Sequence, residues 1–144
     1  YEGIFADEQT GKLYVLCKSC PGDKKSGLLS GYIFQSGDSI VPRGRFSVDL
    51  HAIPAMADRI KRGLRPSALA KNPVTGEWFI LSSVNKLLVI ADSQWKVKNT
   101  VHLNANEFNQ PEGIAFDSRG NLYISNEGDD LSEGNILLFT RLSK

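Results

Sequence analysis

Two glutamates and a serine hold the same place in a formula that the chain writes three times. Glu2 precedes Gly3-Ile4, Ser67 precedes Ala68-Leu69, and Glu112 precedes Gly113-Ile114. Carboxylate and hydroxyl oxygens are hard donors of the kind that hold Ca²⁺ or Mg²⁺. Asn126 and Glu127, at the end of a later apolar run, can add a carbonyl and a further carboxylate. Such a site requires a fold that turns Glu2, Ser67 and Glu112 toward one axis. The same glutamates also have a purely structural account, in which they accept bonds from backbone N–H groups of a neighbouring unit. A buried carboxylate needs either donors or a cation, so both accounts stay open.

Cys17 and Cys20 form a second constellation, in C-x-x-C spacing. This spacing suits a disulfide, a redox pair or half of a four-ligand zinc site. Zinc would need two more ligands, yet His51 and His102 are isolated and no second C-x-x-C exists. A redox pair ordinarily opens a helix, whereas this one follows the strand-like run Leu13-Tyr14-Val15-Leu16. The expectation is a local disulfide or two free thiols beside a turn.

Other chemistries find no support in the pattern. No Gly-x-Ser-x-Gly elbow occurs, and neither histidine has a Ser or Asp partner at a known motif spacing. In Gly22-Asp23-Lys24-Lys25-Ser26-Gly27 the lysines and glycines stand in the wrong order for a phosphate loop. The run Asp129 to Gly134 lacks the alternating carboxylates of a calcium loop and reads as an exposed acidic turn. Lysine and arginine (17) balance aspartate and glutamate (16), and no basic stripe stands out, which argues against nucleic acid as a partner. No apolar run reaches the length needed to cross a bilayer. The chain opens on Tyr1-Glu2-Gly3 without a Met or a signal pattern, and so reads as a mature or excised piece.

The elements that must position these residues are strands. Each copy of the formula is an apolar run, a polar turn containing Gly11, Gly76 or Gly120, and a second run rich in aromatic and β-branched residues. Glycine supplies the positive φ that such turns need, so each copy predicts a β-hairpin. Further strands follow at Tyr32–Phe34, Phe46–Val48, Leu87–Ile90, Val97–Val101 and Ile136–Phe139. The count is four, four and three strands, in units of about 1–50, 64–102 and 110–140 within one domain, 1–144. Between the first two, about 51–63, Pro54, a run of helix formers and Gly63 predict a short helical insertion. A hairpin recurring at this spacing argues for an all-β propeller of about three four-stranded blades rather than a sandwich. Three blades leave two open faces, which calls for more blades from the rest of the chain or from a second copy. Trp78 takes the place of Leu13 and Leu122 in the repeat and is expected between blades. Trp95, in a polar turn, is expected to be partly exposed.

The segments Asn109-Gln110-Pro111-Glu112-Gly113-Ile114-Ala115-Phe116-Asp117 and Gly120 to Gly128 resemble the SdiA-regulated family, bacterial propellers similar in pattern to NHL-repeat and gluconolactonase-like propellers. Tyr1 to Ile4 and Leu64 to Leu69 fit its earlier blades. The resemblance implies a six-bladed ring of which this is the C-terminal half, in a periplasmic or otherwise extracytoplasmic protein that is exported or membrane-anchored. The similarity to gluconolactonase-like propellers implies a divalent cation, such as Ca²⁺, at the channel mouth. Glu2 and Glu112 match their Glu-Gly position, with Asn126 and Glu127 as additional ligands. The function expected is noncatalytic binding of an unknown small molecule or protein at the channel face. The alternative is a metal-dependent hydrolase of lactones or phosphate esters.

Overall fold

Each hairpin turn is closed by its own side chain. Asp7 Oδ1 accepts from the amides of Gln9 and Thr10, Asn72 Oδ1 from Val74 and Thr75, and Asp117 Oδ1 from Arg119 and Asn121. A short side chain that bonds the backbone ahead of it favours a turn over a continuing strand. Gly11, Gly76 and Gly120 then take φ of 64°, 72° and 83°, which L residues rarely adopt. The formula is therefore a turn specification written three times.

The computed structural model describes residues 1–54, 63–130 and 133–142. The strands β1 (Gly3–Asp7), β2 (Lys12–Leu16), β3 (Leu28–Gln35) and β4 (Val41–Asp49) make the first antiparallel sheet, in sequence order. The second sheet runs β5 (Ala68–Lys71), β6 (Trp78–Ser82), β7 (Leu87–Ala91) and β8 (Val97–His102). The third holds β9 (Pro111–Phe116), β10 (Leu122–Asn126) and β11 (Asn135–Phe139). A one-turn helix, α1 (Asp23–Ser26), and a 3-10 turn, Leu50–Ala52, lie in the connections. The helical run expected at Ala55 to Arg62 lies outside the described residues.

The sheets stack face to face, and burial follows their order. Every residue of β6 is buried, because the middle sheet is covered on both sides. Its alternate positions divide between two cores. Trp78 and Ile80 join Leu16, Phe46 and Val48 of the first sheet, whereas Phe79 and Leu81 join Ile124, Ile114 and Phe116 of the third. The outer sheets show the half-buried alternation of sheets covered on one side, as in β1 and β9. Their far faces carry Ile4 at one end of the stack and Ile136 and Leu138 at the other, all exposed.

The first strand of each sheet is the inner one: β1 packs on β5, and β5 on β9. Gly3 makes the first of these approaches possible, since a Cβ there would stand 3.1 Å from the Leu69 nitrogen. Two four-stranded units and a third with three described strands, packed through their first strands, are blades of a β-propeller.

Trp78 is 2 % exposed, in the core as its repeat position implies. Trp95 is half-buried, as its place in a polar turn implies, yet its indole packs against the core. Its φ is 65°, and the indole stacks on Phe46 and Trp78 at centroid distances of 3.8 and 4.3 Å. The polar turn supplies the backbone and the aromatic core takes the side chain.

Candidate functional site

The inner strands bring the starts of β1, β5 and β9 to one end of the stack, with β5 between the other two. Glu2 is half-buried and pairs through Oε1 with Lys18 Nζ at 2.5 Å. The Ser67 hydroxyl accepts from the Ser83 amide at 3.0 Å, tying the start of β5 to the end of β6. Glu112 is exposed and sits in a β-bulge. Pairing steps from Ser125 with Gly113 to Asn126 with Pro111, so Glu112 is the extra residue opposite that step. Bulges of this kind re-aim side chains at the rims of sheets.

Asn126 lies on the other side of the same bulge and is 6 % exposed. Its Nδ2 donates to the Glu107 carbonyl at 3.0 Å and to Asn135 Oδ1 at 2.8 Å. With both amide hydrogens committed to acceptors the orientation of the amide is fixed, and Oδ1 has no hydrogen-bond partner among the described residues. Glu127 is exposed, and its backbone amide bonds the Gln110 carbonyl at 2.8 Å. Glu112, Asn126 and Glu127 thus share one corner of the third blade, while Glu2 belongs to the first blade with a lysine beside it. Among the described residues no three His, Cys, Asp or Glu side chains cluster closely enough to hold a metal ion.

Cys17 and Cys20 are joined by a disulfide and both are buried. The loop they close is held to β3 at several points. Cys17 N donates to Ser30 O at 3.1 Å, and Asp23 N to Cys20 O at 3.2 Å. The buried Asp23 carboxylate accepts from the Ser30 amide at 2.9 Å and the Ser30 hydroxyl at 2.7 Å. Between this loop and the Gly63–Arg65 segment lies a cavity of about 310 Å³, bordered by Lys18, Lys24 and Arg65. Sequence reasoning passed over these three cations. They lie far apart in the chain, and only their flanking cysteines and the start of β5 hint that they share a wall.

The structure also supplies a partner that motif spacing did not show. His51 Nδ1 lies 2.8 Å from Asp49 Oδ1, which accepts from the His51 amide as well. Those two bonds, amide first, hold the Asp49 carboxyl below its usual range. The pair caps the 3-10 turn, and no hydroxyl or thiol bonds to the ring among the described residues. No described helix is long and apolar enough to cross a membrane.

The fold class is therefore a β-propeller, of which the chain contributes three blades. The chain belongs to the SdiA-regulated family, whose sequence profile matches residues 57–130, about half its length. Among curated proteins none matches it in sequence. Among solved structures it is similar to a luciferin-regenerating enzyme, with a TM-score of 0.60 at 14 % identity. The match takes in 98 % of this chain and 45 % of that protein, which is also a β-propeller. At that identity the likeness speaks for fold alone, because one propeller scaffold hosts many activities.

Proposed function

We propose that the chain is the ligand-binding part of a noncatalytic, extracytoplasmic propeller, which takes a small molecule or protein at the end where β1, β5 and β9 begin. One observation carries this reading: a preformed cleft opens at that end, beside the Glu2–Lys18 pair, and its walls are pinned by a disulfide and by buried hydrogen bonds. Clefts of a few hundred Å³ with a few placed polar groups are the usual form of small-molecule sites. The disulfide supports an oxidising compartment. The exposed apolar faces at Ile4 and at Ile136 and Leu138 fit further blades from the rest of the polypeptide. The test is a thermal-shift screen of the full-length protein against a small-molecule library, with mass in solution measured by light scattering. Ligands that raise the midpoint, with cross-peaks shifting at the starts of β1 and β5, support the reading. A full screen without a hit overturns its small-molecule form.

A second reading rests on the orphan Oδ1 of Asn126 beside the bulged Glu112. A buried acceptor without a donor is costly unless something polar meets it, and a divalent cation is one such group. In this reading Glu112, Asn126 and Glu127 would hold Ca²⁺ or Mg²⁺ at the corner of the third blade, and the ion would supply Lewis-acid polarisation of the carbonyl or phosphoryl oxygen of a lactone or phosphate ester. Calorimetric titration of Ca²⁺ into metal-stripped protein, with Glu112→Gln alongside, separates the two. Binding abolished by the substitution, with EDTA-sensitive hydrolysis, favours the hydrolase, whereas absence of Ca²⁺ binding by a folded ring leaves Glu112 as a bulge residue.

A further inference from the structure

We propose that the cleft between the disulfide loop and the start of the second blade is a binding site for a small organic anion, a carboxylate or phosphate attached to an apolar body. The proposal rests on the channel-end binding reading and names the chemistry of its ligand.

The charge balance of the walls carries the argument. Lys18, Lys24 and Arg65 line the cavity, and among the described residues the only acidic side chain lining it is Asp23. Asp23 forms an ion pair with none of them, because it is 7 % exposed and both its oxygens are taken by Ser30, although its charge still offsets one of theirs. Lys18 is paired with Glu2. Lys24 and Arg65 have no carboxylate partner among the described residues, so two cations face the cleft unpaired and its described walls, with Glu2 counted, keep a net positive charge. Concentrated positive charge beside low-dielectric walls attracts an anion more strongly than the same charges spread over a surface.

The backbone holding these cations is fixed in advance. On one wall, the Cys17–Cys20 disulfide brackets Lys18, and the Asp23 bonds to Ser30 anchor the residue preceding Lys24. On the other, Arg65 is gripped on both sides of its peptide. Its amide donates to Asn85 Oδ1 at 3.0 Å, and its carbonyl accepts from the fully buried Ser82 hydroxyl at 2.6 Å. Walls that do not have to order themselves on binding lose less entropy to the complex. Leu29 and Leu64, both nearly inaccessible, form the apolar floor. A cavity of about 310 Å³ is too small for a folded partner and is matched to a ligand the size of an aryl phosphate or aryl carboxylate. The near-neutral chain, with 17 basic and 16 acidic residues, lacks the extended field that a polyanion would need.

The experiment is a calorimetric and NMR titration of the full-length protein with phenyl phosphate and benzoate, and with benzyl alcohol as the neutral counterpart. Saturable binding of an anionic probe is expected, weakening with added salt. Binding should be at least about tenfold weaker in the Lys24→Gln/Arg65→Gln double variant, since two charge-assisted contacts are lost. Lys96→Gln, a cation outside the cleft, should leave it unchanged, and far-UV circular dichroism establishes that all variants are folded. Equal binding of benzyl alcohol, or equal binding by the folded double variant, would overturn the anion site. Shifts confined to the Glu112–Asn126 corner would also overturn it while leaving the channel-end reading standing, whereas a full library without a hit would remove both.

Discussion

Replacing Trp95 by glycine should damage the protein less than replacing it by alanine, although both changes remove the whole indole. The turn Asp92–Lys96 is closed by Asp92, whose Oδ1 accepts from the Gln94 and Lys96 amides, and it places Trp95 at φ 65°. For an L residue that conformation costs about 1–2 kcal/mol. The cost is offset by the stacks on Phe46 and Trp78, for which aromatic pairs contribute about 0.5–1.5 kcal/mol each beyond area burial. Alanine would lose the stacks and keep the strain, for a total near 3 kcal/mol by the usual cost of truncating a packed aromatic. Glycine would lose the same stacks and relieve the strain, at an unfolded-state entropy cost of about 0.5–1 kcal/mol. Trp95→Gly is thus expected to be about 0.5–1 kcal/mol more stable than Trp95→Ala. Urea denaturation followed by circular dichroism measures the difference directly, with a shared slope required for the comparison. If Trp95→Ala proves as stable as Trp95→Gly or more so, the claim that packing holds Trp95 in a strained backbone is wrong.

Three further outcomes follow from named contacts. Burial works against the charge on Asp7, but the Lys71 ammonium and the Thr10 amide outweigh it and hold the carboxyl below its ordinary range. A carboxyl depressed in the fold contributes fully above its unfolded value, near about pH 4, and the contribution is lost as pH falls through the folded value. The thermal midpoint should therefore drop on acidification below about pH 4, more shallowly in Asp7→Asn, and parallel profiles for the two proteins would exclude that account. Asn126→Ala should cost about 1–3 kcal/mol, since it leaves the Glu107 carbonyl without its donor; a neutral result in chemical denaturation would mean that water replaces the amide freely. Ser82→Ala should cost about 1–2 kcal/mol by removing the donor to the Arg65 carbonyl, and amide exchange at residues 63–65 should accelerate; unchanged exchange there would show that the hydroxyl does not hold that wall.

How much was legible depended on the range of the interaction. The hairpins could be read because their determinants are local: Asp7, Asn72 and Asp117 bond amides two to four residues ahead, and glycine follows where φ must be positive. The blade count and the burial of Trp78 could be read because repetition equates positions across copies. The helix α1 escaped, since a single turn between Gly22 and Gly27 has no periodicity to detect. The candidate ligands were legible by type, but their grouping was not. Glu112 and Asn126 meet through a bulge that strand register alone decides, and Glu2 has a lysine for its neighbour.

By itself, the sequence determined the turns, the strand alternation and the propeller class, because each is dictated within a few residues or by a repeat. Tertiary structure alone decided which charges share a cleft. Lys18 and Arg65 stand 47 positions apart in the sequence, and only the stacking of the first blade on the second makes them walls of one cavity. It also decided that the half-buried Trp95 lays its indole against the core, because the stacking partners Phe46 and Trp78 come from two different blades and exist as a surface only once those blades have packed.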